Sequence, residues 1–378
     1  MADRVFLHVG APKSGTSYLQ RILWSNRDRL AADGYLLPGT RRAQYALMGD
    51  LRGAPWQDPA SSWTWDRLAE RVRAHDGSVV VSEEMLGAAT KEQAESAVRR
   101  LSPAEVHVVA AVRDLGRTIP SAWQQSVRAR AVGGYTSFVE GLQTGRNPGF
   151  WATQSAVPIL DRWTTLVPPE CRHVVTVPPQ GSDRTLLWER FAAALGLDAT
   201  RYEVGEPAGN PSLGAPEAEL LRRVNRALGE EYPLSRPYLG TVRRHLTLPV
   251  LMANPAPVRF AAPPHLAAWV SERSAAIVDE LRAYPCQVVG DLSDLLRADV
   301  TDSVSPDDYD AEALLALAVD TMVGMLRHTD REVTALEEIV AEQRRRIRRL
   351  ERERAPRAAA ARRALRRPWR AVRGVVSA

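Results

Sequence analysis

Lysine is almost missing from this chain. Of its 378 residues, 50 are Lys or Arg, yet only Lys13 and Lys91 are lysines. A solvated basic position here is therefore normally arginine, which singles out Lys13. Cysteine is as scarce. Cys171 and Cys286 are too few and too isolated for a disulfide framework or a cysteine-based metal site. Both are expected to be core residues in a reducing, cytoplasmic setting, and no metal site is expected. No apolar run approaches the roughly 18 residues of a spanning helix. The N-terminal stretch MADRVFLHVGAPK lacks the apolar segment of a signal peptide. The acidic residues are few only at one end. From Ala341 onward 14 Arg face three acids, which leaves 36 basic and 42 acidic residues in the rest. The net charge of +5 thus joins a mildly acidic body to a strongly basic tail. Such a tail suits nucleic acid or an anionic membrane. The acidic body and the lack of a base-reading motif put nucleic acid second.

With 45% hydrophobic residues, the chain can bury one large α/β domain plus an appendage. Residues 5–9, 78–82, 106–112 and 173–177 are nearly all apolar, as strands covered on both faces of a parallel sheet must be. Helical patterns at 17–30, 65–74, 91–100 and 186–195 alternate with them, and two more occupy 217–228 and 265–283. This order predicts an α/β three-layer sandwich with a central parallel sheet over residues 1–300. A polar, acidic linker is expected near 297–307.

Beyond it the period changes. Leu315, Val319, Met322, Leu326, Thr329, Val333, Leu336, Val340, Gln343, Ile347 and Leu350 follow alternating spacings of four and three. This is the a/d pattern of a coiled coil, which predicts a homodimer through 315–350; the alternative is one amphipathic helix folded back on the body. Residues 301–355 are read as linker plus coiled-coil helix, ended by Pro356. Residues 356–378 form a basic tail in which Trp369 and valines are interspersed, suited to peripheral contact with an anionic membrane.

The chemistry concentrates near the start. Residues 8–18 read HVGAPKSGTSY, directly after the first apolar run. A strand, a Gly-rich turn and a helix start bring backbone N–H groups to one point, an anion site. Gly10 and Gly15 have the separation of the glycines in an ATP-binding loop, but Thr16 stands where that loop has its lysine, and Lys13 lies mid-loop. A P-loop-like cradle for some other phosphate ester is expected. After the run at 106–112 comes RDLGRTIPSAWQQ, which places Arg113 eight residues before Ser121. A guanidinium fork plus a hydroxyl suits a second phosphate.

The run P-K-S-G-T-S from Pro12 to Ser17, taken with Arg113 and Ser121, resembles the sulfotransferases that use 3′-phosphoadenosine 5′-phosphosulfate (PAPS). The similarity spans roughly residues 4–300 and is densest in the first 130. The stretch VVTVPPQGSDRTLLWERFAAALGL fits the strand and helix that follow in bacterial members. The resemblance implies that Pro12, Lys13, Ser14, Gly15, Thr16 and Ser17 bind the 5′-phosphosulfate, and that Arg113 and Ser121 bind the 3′-phosphate. It also suggests Arg243 and Arg244, in GTVRRHL, as a late basic segment over that phosphate. The implied activity is sulfuryl transfer from PAPS to a hydroxyl or amine of a small-molecule, glycolipid or carbohydrate acceptor, without a metal.

Such transfer needs a base for the acceptor proton and positive groups for the leaving phosphate; Lys13 suits the second task. The family's base follows the equivalent strand and is His in one branch and Glu in others. Here SVVVSEEML supplies Glu83 and Glu84. Glu83 is expected to be the base by position, with Glu84 the alternative, because adjacent residues in extended backbone point opposite ways. His8 reads as a core histidine rather than a base. Trp123 and Gln124 either line the acceptor cleft or pack internally. Two other functions are consistent with the sequence: a small-molecule kinase on the same fold, or a non-catalytic scaffold that oligomerises through its C-terminal helix.

Overall fold

The computed structural model describes residues 1–53, 63–205, 212–232, 234, 236–296 and 304–365, with the backbone alone for 353–365. The C-terminal 13 residues of the basic tail, 366–378, lie outside that set. Six strands form one parallel sheet: β1 (Arg4–His8), β2 (Tyr35–Leu36), β3 (Ser78–Ser82), β4 (Glu105–Val112), β5 (Arg172–Thr176) and β6 (Gln287–Val289). Their order is β2-β3-β1-β4-β5-β6. The chain runs out to β2, returns to β3, then passes over β1 to β4. The C-terminal ends of β3, β1 and β4 therefore lie side by side, at the place where open α/β sheets bind ligands.

Alternation along the strands sends side chains to two faces. Val5, Leu7, Val79, Val81, Val108 and Ala110 join the helices Trp65–Arg73, Lys91–Leu101, Ala156–Trp163 and Ala267–Ala283 in one core. Phe6, Val80, Val109, Ala111 and Val175 meet Thr16–Ser25 and Leu186–Leu195 on the other. This is why the central strands read as unbroken apolar runs. The long helical pattern expected at 17–30 is two helices, Thr16–Ser25 and Arg27–Ala32, divided at Asn26. The Asn26 side-chain amide donates to the Ile22 and Glu203 carbonyls, a local bond that competes with helix continuation.

A third core, absent from the expectation, is all-helical. It packs Leu115, Ile119, Trp123 and Val127 against Tyr135, Val139, Leu221, Tyr238 and Val242. It draws on the helices Leu115–Arg128, Tyr135–Gln143 and Ala215–Ala227 and the π-helical segment Leu239–Thr247. This lobe stands beside the carboxyl ends of the strands.

Two expectations at the C-terminal side are corrected. The end of the expected linker is docked, not solvated: Pro306 is buried, and the Asp307 carboxylate accepts from the Tyr135 and Thr136 amides at 3.0 and 2.7 Å. Helix Tyr135–Gln143 has no side-chain cap of its own, so Asp307 satisfies its free amides. The remainder of that expected linker, 297–303, lies outside the described residues. Pro356 does not end the helix either. One helix runs from Ala311 to Leu365. The following RAAAARRAL is built of the strongest helix formers, and they outweigh the single hydrogen bond that proline removes. The first part of this helix lies on the body through Leu314 and Thr321, both buried. Every residue from 333 to 340 is exposed.

Candidate functional site

A cavity of about 670 Å³ opens between the strand ends and the helical lobe. The loop after β1 supplies Lys13, Gly15, Thr16 and Ser17; β3 leads to Glu84; β4 leads to Arg113, and the helix behind it adds Arg117, Ser121, Gln124 and Arg128. Arg243 comes from the π-helical segment. Among the described residues, five cationic side chains thus surround one carboxylate.

The loop's shape depends on glycine. Gly15 caps helix Thr16–Ser25 in the left-handed region (φ 82°), and a Cβ there would lie 2.5 Å from Leu187 Cδ2. The tight approach leaves that helix start with no side-chain cap and no acidic residue in its first turn. The amides of residues 15–17 are thus available to an anion. Lys13 also adopts positive φ, at 68°. Burial lowers its pKa, and the nearby Arg128 adds to this while Glu84 opposes it.

Arg113 carries the sharpest signal. Burial pulls its guanidinium down to about 10, and Arg117 pushes the same way. It stays charged at neutral pH. Its Nη1 donates to the Lys13 carbonyl at 3.1 Å, and its Nε is buried with no partner. Arg117, by contrast, is paired with Asp114 and donates to the Pro178 carbonyl at 3.0 Å. Arg128 is lowered by burial and then by Arg243. Among the described residues no ion pair involves Arg113, Arg128 or Arg243. Three guanidinium groups without a carboxylate partner, Arg113 and Arg128 half-buried and Arg243 exposed at the rim, repel one another around one space, and a polyanion there would offset that repulsion.

The two glutamates part company. The Glu83 carboxylate accepts from the Met85 amide at 3.0 Å and caps the short 3₁₀ turn Glu84–Ala88. It is 6% exposed, and burial pushes its pKa up against the opposing Met85 bond. That turn swings Glu84 to the cavity, where the Thr16 hydroxyl donates to its Oε2. Of the remaining loop residues, Ser14 is buried with its hydroxyl turned back to the Ala11 carbonyl. Pro12 and Ser14 do not line the cavity, and neither does Arg244, which is exposed and ion-paired with Glu332 at 3.2 Å.

His8 is fully buried, holds the Ser82 hydroxyl at 2.8 Å through Nδ1, and is driven down to about 3 by burial, so it is a neutral core residue. Trp123 packs on Tyr135 and Phe260 inside the helical lobe. Gln124 does line the cavity, and its amide donates to the Leu213 carbonyl at 2.9 Å. Arg117 and Arg128 were missed by the sequence reading. Their signal was present: 117, 121, 124 and 128 recur at helical spacing on one face. Compared with known proteins, the chain matches no family model, no curated protein and no solved structure.

Proposed function

We propose that the chain is a sulfotransferase that moves a sulfuryl group from PAPS to a hydroxyl or amine on a small-molecule, glycolipid or carbohydrate acceptor. The observation that carries this reading is Arg113: a half-buried guanidinium with no carboxylate partner and a sealed, unpartnered Nε, in one cavity with Ser121, Lys13 and an uncapped helix start. Those groups fit a donor with anions at two places. The amides of residues 15–17 and Lys13 would hold the 5′-phosphosulfate and offset charge developing on the leaving phosphate. Arg113 and Ser121 would hold the 3′-phosphate, with Arg128 and Arg243 completing the cationic wall. PAPS supplies the sulfuryl group. Glu84 takes the base role in this proposal, because it faces the cavity while Glu83 is engaged with Met85. The Thr16 hydroxyl orients its carboxylate.

Calorimetry with adenosine 3′,5′-bisphosphate tests this reading. Tight binding without magnesium, well above that of ATP and of adenosine 5′-monophosphate, is the expected result. Equal affinity for the monophosphate would remove the 3′-phosphate assignment.

The C-terminal helix supports a second part of the proposal, a parallel coiled-coil dimer. Its a/d stripe stays outside the body's core: Leu315 is 64% and Leu326 71% exposed. The body instead takes the neighbouring stripe, with Leu314, Thr321, Met325 and His328 turned inward. The two stripes meet at Met322 and Thr329, which line a groove with Leu220 and Leu246 of the body, while Leu315, Leu326 and residues 333–340 leave exposed surface for a second copy.

A further inference from the structure

His245 and His328 are 83 residues apart in sequence, yet the His245 Nδ1 and His328 Nε2 atoms lie 3.1 Å from each other. His245 sits near the end of the π-helical segment Leu239–Thr247, and His328 sits on the long C-terminal helix. Glu332 follows His328 by one helical turn and so shares its face. The three ligand atoms all lie within 4.8 Å of one another, and all three residues are half-buried. Two imidazole nitrogens bound tetrahedrally to zinc at about 2.0–2.1 Å stand about 3.3 Å apart. The observed spacing is close to that.

The carboxylate is also held. Arg244 donates to Glu332 Oε2 at 3.2 Å. That leaves Oε1 for a metal and gives the carboxylate the outer hydrogen bond that usually orients such ligands. Two imidazoles and one carboxylate, with a fourth position for water, form a set that suits zinc better than magnesium or calcium, which prefer oxygen ligands.

We propose that His245, His328 and Glu332 bind a zinc ion that pins the C-terminal helix to the helical lobe. The site is separate from the cavity but mechanically near it, because His245 lies two residues beyond Arg243 on the same segment. Zinc would fix the segment that presents Arg243 and, in the same act, the angle at which the long helix leaves the body. This inference does not rest on the sulfotransferase reading.

The test is zinc binding to the tag-free, full-length, metal-stripped protein, followed by calorimetry and by the visible spectrum of the cobalt-substituted form. One equivalent and a four-coordinate cobalt spectrum are expected. His245→Ala and His328→Ala should each weaken binding by more than the roughly 100-fold that loss of an outer partner costs. Hydrogen exchange should slow on zinc addition in 239–247 and 311–332, a readout independent of activity. A second described cluster, Glu105, His107 and Cys171, supplies the control. Cys171→Ser should leave the stoichiometry at one. Zinc lost in Cys171→Ser, zinc retained by the folded His245→Ala/His328→Ala double variant, or no stoichiometric binding would each overturn the proposal.

Discussion

The cavity and the distal half of the C-terminal helix are both rich in arginine, and they are opposite in kind. Arg345 and Arg346 on the helix are exposed. Arg113 is half-buried, its Nε is sealed from solvent with no partner, and its pKa is pulled down by burial. A surface guanidinium costs the fold nothing and signals nothing. One whose Nε is sealed from water without a partner is destabilising, and the surrounding sheet and lobe hold it in place. Arg222 makes the same point from inside the lobe: it is more deeply buried, but Glu219 accepts from its Nε and Nη2 at 2.6 and 2.7 Å, so it is satisfied and structural. The number of arginines therefore says little. What separates a binding wall from a soluble face is burial without a partner.

The largest effect that would break this contrast concerns the one acid in the cavity. Glu84→Gln should cut sulfuryl transfer on the order of 10²–10⁴-fold, the usual worth of a general base, with bisphosphate affinity little changed. Glu83→Gln should leave turnover within a few-fold and act on stability, since its carboxylate caps a buried turn. Steady-state rates and calorimetry on both variants decide it. Turnover lost in Glu83→Gln and kept in Glu84→Gln would reverse the assignment. Next in size is Arg113→Ala, expected to cost about 1.5–3 kcal/mol of bisphosphate binding, or roughly 10–150-fold. Arg345→Ala should change that affinity by less than about twofold, the range of ordinary surface substitutions. Equal losses in the two would mean that diffuse positive charge, not a built site, attracts the ligand.

Much of this site was legible because parallel sheets are predictable locally. A strand covered on both faces reads as an apolar run, and its carboxyl end is where the run stops, so the loop at Lys13, the acids after Ser82 and Arg113 could each be placed. What brings them together is the strand order, which the sequence does not display. Where the reading slipped, the physics lies within one residue. β3 ends at Ser82, and Glu83 remains extended (φ −146°) before the chain turns, so the side chain expected at the cavity is the one that faces away. Arg243 and Arg244 are adjacent on a helical segment, and Arg243 lines the cavity while Arg244 points to Glu332. The pairing of His245 with His328 depends on packing over 83 residues, and no local pattern carries it.

The buried interior sharpens the contrast from the other side. Arg113 is charged, without a carboxylate partner and at the cavity; His8, at the end of β1, is neutral and sealed. Its imidazole binds a proton near pH 6.5 in the unfolded chain but only near pH 3 in the fold. Between those values the unfolded state holds more protons, so acidification destabilises the fold through this group, by at most about 1.4 kcal/mol per pH unit. Stability is fully present above about 6.5 and is lost as pH falls toward 3. Denaturant titrations across that window should show a shallower slope in His8→Asn than in the parent. An unchanged slope would assign the acid sensitivity to other groups, with His173, lowered by burial to about 4, the first to examine.

The smallest expected effect on the cavity comes from the largest deletion. Removing residues 333–378 takes away the exposed part of the C-terminal helix and its arginines but leaves Leu314, Thr321, Met325 and His328 on the body. If the two arginine-rich regions are functionally separate, the truncated protein should bind adenosine 3′,5′-bisphosphate within about 0.5 kcal/mol of the full chain, the scatter of changes remote from a site. Light scattering should report a monomer, because the five a/d residues that remain, Leu315, Val319, Met322, Leu326 and Thr329, supply only about two heptads. A cut after Asp308 would behave differently. It would strip Thr321 and Met325 from the apolar groove formed with Leu220, Val224 and Leu246, and exposing that surface should lower the melting temperature. A dimer that survives loss of 333–378 would move the interface onto the body, and weakened ligand binding in that truncate would join the two arginine-rich regions into one.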